Sequence, residues 1–210
     1  APPLDRGAGD FEHRASLISD CCINYQLSTI NYQLSTVNMT QELKDLREFI
    51  LDGRYEAALG LIDELEEMSK KAILQNIASF LMRMVMHLIK NQLEARLTNS
   101  WAASIRDSTL KIQDLNRKGK KKAYYLKLDE WDDGLEAAFE DAIFAASVEV
   151  GNGKYNPFQL REMVDKDAII ETARIFIEMT YLDSSQELRS AITVQLSQLT
   201  GGKNWREGKS

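Results

Sequence analysis

Arg83, His87 and Lys90 are the residues in this chain nearest to chemistry. They recur at i, i+4 and i+7, so on a helix they form one polar ridge. His87 is the candidate general acid or base, because an unperturbed imidazole titrates near neutral pH. It is the only histidine after residue 38, no Glu-x-x-His or His-x-x-x-His accompanies it, and no metal site is expected. The simpler alternative is a helical histidine held by a carboxylate or a backbone oxygen. An unpaired guanidinium inside a bundle costs several kcal/mol. Arg83 or His87 is therefore expected to meet an acidic residue, with Glu136 and Glu140 of the acidic stretch 129–141 as the nearest ample source.

Other charged groups offer weaker chemistry. Asp63, Glu64, Glu66 and Glu67 could ligate a hard cation, but helical spacing spreads them round the circumference, which suits a solvated face better. Lys120, Lys121 and Lys122 belong to a basic run beside Tyr124 and Tyr125 that could touch nucleic-acid phosphates. A short linker balanced by the acidic helix after it explains the same run, and nucleic acid is not favoured. Trp101, Trp131, Met82, Met84 and Met86 are most simply core. No phosphate loop, dinucleotide fingerprint or nucleophile elbow occurs, and no cofactor is expected.

The elements that must position these residues are helices. Ile62, Leu65, Ile73, Ile77, Phe80, Met84 and Leu88 fall on one helical face of the stretch 55–94. From Ile73 the neighbouring faces turn apolar too, as in a helix buried inside a bundle. It reads as one long helix, or two nearly collinear ones. Before it, Leu43, Leu46, Phe49 and Ile50 form a stripe that Asp52-Gly53 stops. After it, Asn99 or Ser100 can cap a helix carrying Trp101, Ile105, Ile112 and Leu115 inward. The acidic stretch opens the next helix, with Leu128, Trp131, Leu135, Ala138, Ala142 and Ala146 as its buried stripe. Short elements follow around Asn156-Pro157. Helices are then expected over 168–182, rich in Ile and Phe, and from the Ser184/Glu187 capping pair to Leu199. Gly201-Gly202 should close the last one and leave a fraying tail.

The bulk numbers admit one sizeable helical domain. The chain has 210 residues and a formal net charge of −6, which argues against a nucleic-acid binder by charge. Cys21 and Cys22 are adjacent and cannot build a long-range disulfide framework, so a reducing, cytoplasmic setting is expected. The most apolar window, 80–89, is interrupted by Arg83 and His87 and too short to span a bilayer, and no membrane is expected. Residues 23–29 repeat identically at 30–36. The tandem nucleotide unit ATCAACT, read through its three frames, encodes this repeat in full. Residues 1–38 are accordingly expected to pack little and to precede a native start at Met39.

Along the middle of the chain run the blocks Leu46-Arg47, Gly53-Arg54-Tyr55, Leu61 to Glu66 with Met68, and His87-Leu88-Ile89-Lys90. Asn99-Ser100-Trp101, Ser104-Ile105, Asn156-Pro157-Phe158 and Leu160 complete the series. The series carries a resemblance to a bacterial family, domain of unknown function number twenty-nine. It covers roughly residues 43–165, departs where 55–61 looks shortened and where Ser69 replaces an expected glycine, and implies an all-helical fold without an activity.

The resulting expectation is an all-α helical bundle around one long central helix with extra C-terminal helices. Its parts are 1–38, a family-like domain at 39–166, an appended helical pair at 167–200 and a tail at 201–210. A non-catalytic interaction module is the preferred function, with an enzyme or nucleic-acid-processing factor using His87 as the alternative. A homodimer or protein partner is expected to dock on residues after Ala168, where two faces of one helix look apolar.

Overall fold

The computed structural model describes residues 41–119 and 123–209. Expectations for residues before 41, and for Lys120, Lys121 and Lys122, lie outside the described residues. All regular structure among the described residues is helical apart from one isolated bridge, Arg117 to Tyr124. Helix α1 covers 41–51 and α2 Tyr55–Glu94. Then come α3 (Asn99–Asn116), α4 (Asp132–Glu149), α5 (Pro157–Met163), α6 (Lys166–Met179), α7 (Ser185–Gln198) and α8 (Gly202–Arg206). The long helix is continuous for 40 residues, with no break at Ser69. The chain divides into two compact units, one up to Glu67 and one from Met68.

In the first unit, Gly53 takes a left-handed φ of 72°, as the turn after α1 requires. The backbone N–H of Arg54 donates to Phe49 O at 2.8 Å, and the Arg54 guanidinium lies 4.4 Å from the Phe49 ring centroid. The expected α1 stripe is split. Leu46 and Phe49 are half-buried, whereas Leu43 and Ile50 are exposed. The start of α2 is divided similarly: Ala58 is buried, Leu61 and Leu65 are half-buried, and Tyr55, Leu59 and Ile62 face solvent.

The second unit holds the core. Ile77, Leu81, Met84, Val85, Leu88 and Ile89 of α2 join Ile105 and Ile112 of α3 and Leu135, Phe139, Ala142 and Ile143 of α4. Side chains of α6 and α7 complete the same cluster: Ala173, Phe176, Ile177, Leu188, Ile192 and Leu196. Each large one contributes about 1.5–3 kcal/mol by leaving water. Helices α6 and α7 are therefore part of this core, not a pair appended at residue 167. Phe176 is fully buried, and α6 packs on α3, α4 and α7. Ile169, Ala173, Phe176 and Ile177 of α6 and Leu188, Ile192 and Leu196 of α7 are thus buried within the chain, whereas Val194 of α7 is exposed.

Several local expectations are corrected. Thr98, not Asn99 or Ser100, caps α3, its Oγ1 accepting from Trp101 N at 3.2 Å. Helix α4 begins at Asp132, so Leu128 lies before it and is exposed, while Trp131 at the N-cap is buried. Ser184 caps α7 as the sequence suggests, accepting from Glu187 N. Where a fraying tail was expected, Gly202–Arg206 forms α8, and Trp205 Nε1 donates to Asn99 Oδ1 at 2.8 Å. The glycines permit this crossing. A Cβ on Gly202 would sit 2.4 Å from Leu196 O, and one on Gly201 would sit 2.7 Å from Arg96 Cα.

By length and composition α2 could cross a membrane, contrary to the expectation drawn from residues 80–89 alone. The apolar residues of its second half are the ones packed in the core.

Candidate functional site

Helical spacing brings Arg83, His87 and Lys90 onto one side of α2, as expected, but each meets a different environment. Arg83 Nη2 donates to Asp107 Oδ2 at 2.5 Å and Nε to Ser108 Oγ at 3.0 Å. Its guanidinium also covers the Phe80 ring at 5.0 Å. The acidic partner is thus real but comes from α3, not from the acidic stretch. Glu136 and Glu140 are engaged elsewhere, with Lys166 and Arg161. That choice follows from packing. Asp107 lies one residue from the buried Ser108, on the face of α3 turned toward the ridge.

Lys90 is the most buried cation of the ridge, its side chain 5% exposed. Nζ pairs with Glu149 at the end of α4 and lies 4.8 Å from the Trp101 ring centroid. The Arg96 guanidinium approaches the same indole at 5.1 Å, and Arg96 is itself paired with Glu94 at 2.6 Å. These groups line an open cleft of about 420 Å³ whose far wall is Gly151 and Asn152. Among the described residues, the two non-glycine positions with positive φ are both here: Asn152 at 59°, and Ala95 at 49° between the cleft residues Glu94 and Arg96. Left-handed backbone costs an alanine about 1–2 kcal/mol. Here it turns the chain sharply out of α2 and delivers Arg96 to the indole.

His87 is buried, and its Nδ1 has no hydrogen-bond partner among the protein groups. Burial first, and then the positive charge of Lys90, lower its pKa from 6.5 to about 4, with Arg83 adding to the effect and Glu149 opposing it. The imidazole is therefore neutral at neutral pH. It is not among the residues lining the Lys90 cleft. A histidine so placed is a poor general acid–base group, which needs a pKa near the working pH and access to a substrate proton.

The family model for "Domain of unknown function DUF29" matches residues 56–169, more than half of the chain. The chain belongs to this family. No curated protein matches it, and no solved structure does. The DUF29 region contains the ridge, its partners on α3 and α4 and the whole cleft, and it ends inside α6. Helices α7 and α8 lie beyond it, yet Leu188, Ile192 and Leu196 of α7 belong to the same core cluster and Trp205 of α8 packs against it. Asn91 Nδ2 donates to Arg96 O at 2.8 Å and to Thr200 O at 2.7 Å, tying the end of α2 to the chain after α7.

A polar network that the sequence reading missed does the same at the opposite end of α3. Asn116 donates to Leu126 O at 2.9 Å and accepts from Leu126 N at 2.7 Å. Tyr181 OH donates to Leu126 O at 2.8 Å and accepts from Trp131 Nε1 at 2.7 Å. Burial raises the Tyr181 pKa, so the phenol keeps the proton it donates. Gln113 Nε2 donates to Thr180 O at 3.0 Å. The signal was present in the sequence. Ser108, Thr109, Gln113 and Asn116 fall on the inward side of α3 with Ile105 and Ile112, and all are buried. Polar residues on an inward stripe must find partners.

Of the basic run, Arg117 donates to Leu182 O at 2.7 Å and Lys118 lies 4.7 Å from the Tyr125 ring centroid. Asp63, Glu64, Glu66 and Glu67 are exposed along α2. Among the described residues, no group of three or more potential metal ligands converges.

Proposed function

We propose that this DUF29 chain is a non-catalytic helical interaction module whose recognition face is carried by residues 43–62. One observation carries the reading. Of thirteen large apolar residues exposed among the described ones, six crowd into this short segment: Leu43, Ile50, Leu51, Tyr55, Leu59 and Ile62. Exposed apolar side chains scattered singly are ordinary, but a concentration of them marks a contact surface. The face is assigned here, not after Ala168, because α6 and α7 bury their apolar sides in the core.

The ridge supports the same reading from the other direction. Arg83 and Lys90 are bound to acidic partners, and His87 is held neutral by its surroundings. These are the marks of a framework. The experiment is site-specific photo-crosslinking in the native host, with the reactive group at Leu59 or, as a control, at the exposed Val194. A discrete adduct from position 59 and none from 194 is expected. Equal adducts from both, or none from 59, would remove the recognition face.

A further inference from the structure

Tyr55, Leu59 and Ile62 recur at helical spacing, so they share one face of α2, and all three are exposed. Charge says what should cover it. Residues 41–67 contain nine acidic side chains and three basic ones, a net −6 that equals the formal charge of the entire chain. Asp63 and Glu66 stand one turn beyond Leu59 and Ile62, at the border and on the line of the stripe. Glu56, Asp63, Glu64, Glu66 and Glu67 are all exposed. No ion pair engages any of these five among the described residues, whereas Arg54 is already paired with Asp52 at 3.2 Å.

We infer that the occupant of this face is a cationic amphipathic helix of another protein. An apolar stripe on a helix is covered efficiently by the apolar side of a second helix, read at the same spacing. Lysine and arginine flanking that side would meet the unpaired carboxylates. A second copy of this chain would instead bring two segments of charge −6 together, and like charges across an interface oppose association. The inference rests on residues 43–62 being the recognition face, and it adds the chemistry of the partner.

The test uses the full chain and fluorescently labelled model helices of about 18 residues, five turns. One peptide is built from Leu and Lys in amphipathic order, one carries the same composition scrambled, and one is the Leu/Glu counterpart. The amphipathic Leu/Lys peptide should bind at least about tenfold tighter than either other peptide. Leu59→Asp with Ile62→Asp should weaken it about tenfold or more, although the variant is more negative. Circular dichroism checks that this surface variant keeps its helix. Unchanged or tighter binding to that variant would mean charge attraction alone and would overturn the inference. Preference for the Leu/Glu helix, or a dimer in sedimentation that the double variant dissociates, would overturn the cationic partner and leave the recognition face standing. No binding of any peptide by a monomeric chain, together with no adduct at position 59, would remove both.

Discussion

Two stretches of one helix, 55–67 and 77–90, carry the same apolar periodicity and opposite fates. In the second, Ile77, Met84 and Leu88 are buried, and the cations Arg83 and Lys90 each have an acidic partner. In the first, Tyr55, Leu59 and Ile62 are exposed, and the carboxylates beside them have no ion-pair partner among the described residues. Periodicity says which side of a helix is apolar. It does not say whether the chain itself supplies the cover. Charge balance is the second clue, because the cations of the buried stretch are paired and the carboxylates of the exposed one have no ion-pair partner among the described residues.

The sharpest way to break this comparison is to cut the same face in both stretches. Met84→Ala removes a fully buried side chain and should cost about 2–5 kcal/mol, from lost transfer energy and the cavity left behind. Leu59→Ala, with Leu59 61% exposed, should stay within about 0.5 kcal/mol. Urea unfolding followed by tryptophan fluorescence reads the first, since Trp101, Trp131 and Trp205 all lie beyond Met68. Circular dichroism covers the second. A large loss at Leu59 would show that the face is covered after all.

The next test uses pH on the buried ridge. His87 has a folded pKa of about 4 against an unfolded value of 6.5. Between these values the unfolded chain binds the proton and the folded chain does not, so stability falls as pH drops below 6.5. Above 6.5 the imidazole is neutral in both states and contributes no slope. The full effect is of order 1–3 kcal/mol, reached near pH 4. His87→Gln should remove this part of the acid sensitivity while leaving stability at pH 7.5 nearly unchanged. Unfolding midpoints at pH 7.5 and 4.5 for both proteins isolate it from the titrating carboxylates. Identical pH slopes would mean that His87 reaches solvent and a proton.

The all-helical bundle was legible because the apolar spacing of 73–89, 101–112, 135–146 and 188–199 is strong and each run is long enough to be a helix. What was not legible shares one cause. Asp107 as the partner of Arg83, Glu149 as the partner of Lys90 and the Asn116–Tyr181 network all join residues far apart in sequence. Local pattern cannot say which helices become neighbours. Nearness along the chain pointed to Glu136 and Glu140, and the bundle gave those carboxylates to α5 and α6 instead. The role of α6 and α7 was missed for a related reason. Two apolar faces on α6 suggested an outside partner, whereas the core needed both. Gly201-Gly202 read as a stop because glycine also serves where two backbones nearly touch, and sequence does not separate these uses.

The smallest effect sharpens the comparison most, because Arg83 lies between the two regimes. Its side chain is 36% exposed and Asp107 is 53% exposed, so water screens their ion pair, which is worth under about 1 kcal/mol. The bond to Ser108 differs, because Ser108 is fully buried and loses its partner when the guanidinium goes. An unsatisfied buried hydroxyl costs about 1 kcal/mol or more. Arg83→Ala should therefore destabilise by about 1–2 kcal/mol, most of it through Ser108. The decomposition can be measured. Asp107→Asn should cost less than Arg83→Ala, and Arg83→Ala should cost much less when Ser108→Ala is already present, since no buried hydroxyl is then stranded. A double-mutant cycle in urea reads both differences. Additive losses for the Arg83/Ser108 pair, with Asp107→Asn as damaging as Arg83→Ala, would return the weight to the screened ion pair and place Arg83 with the exposed charges of the first stretch.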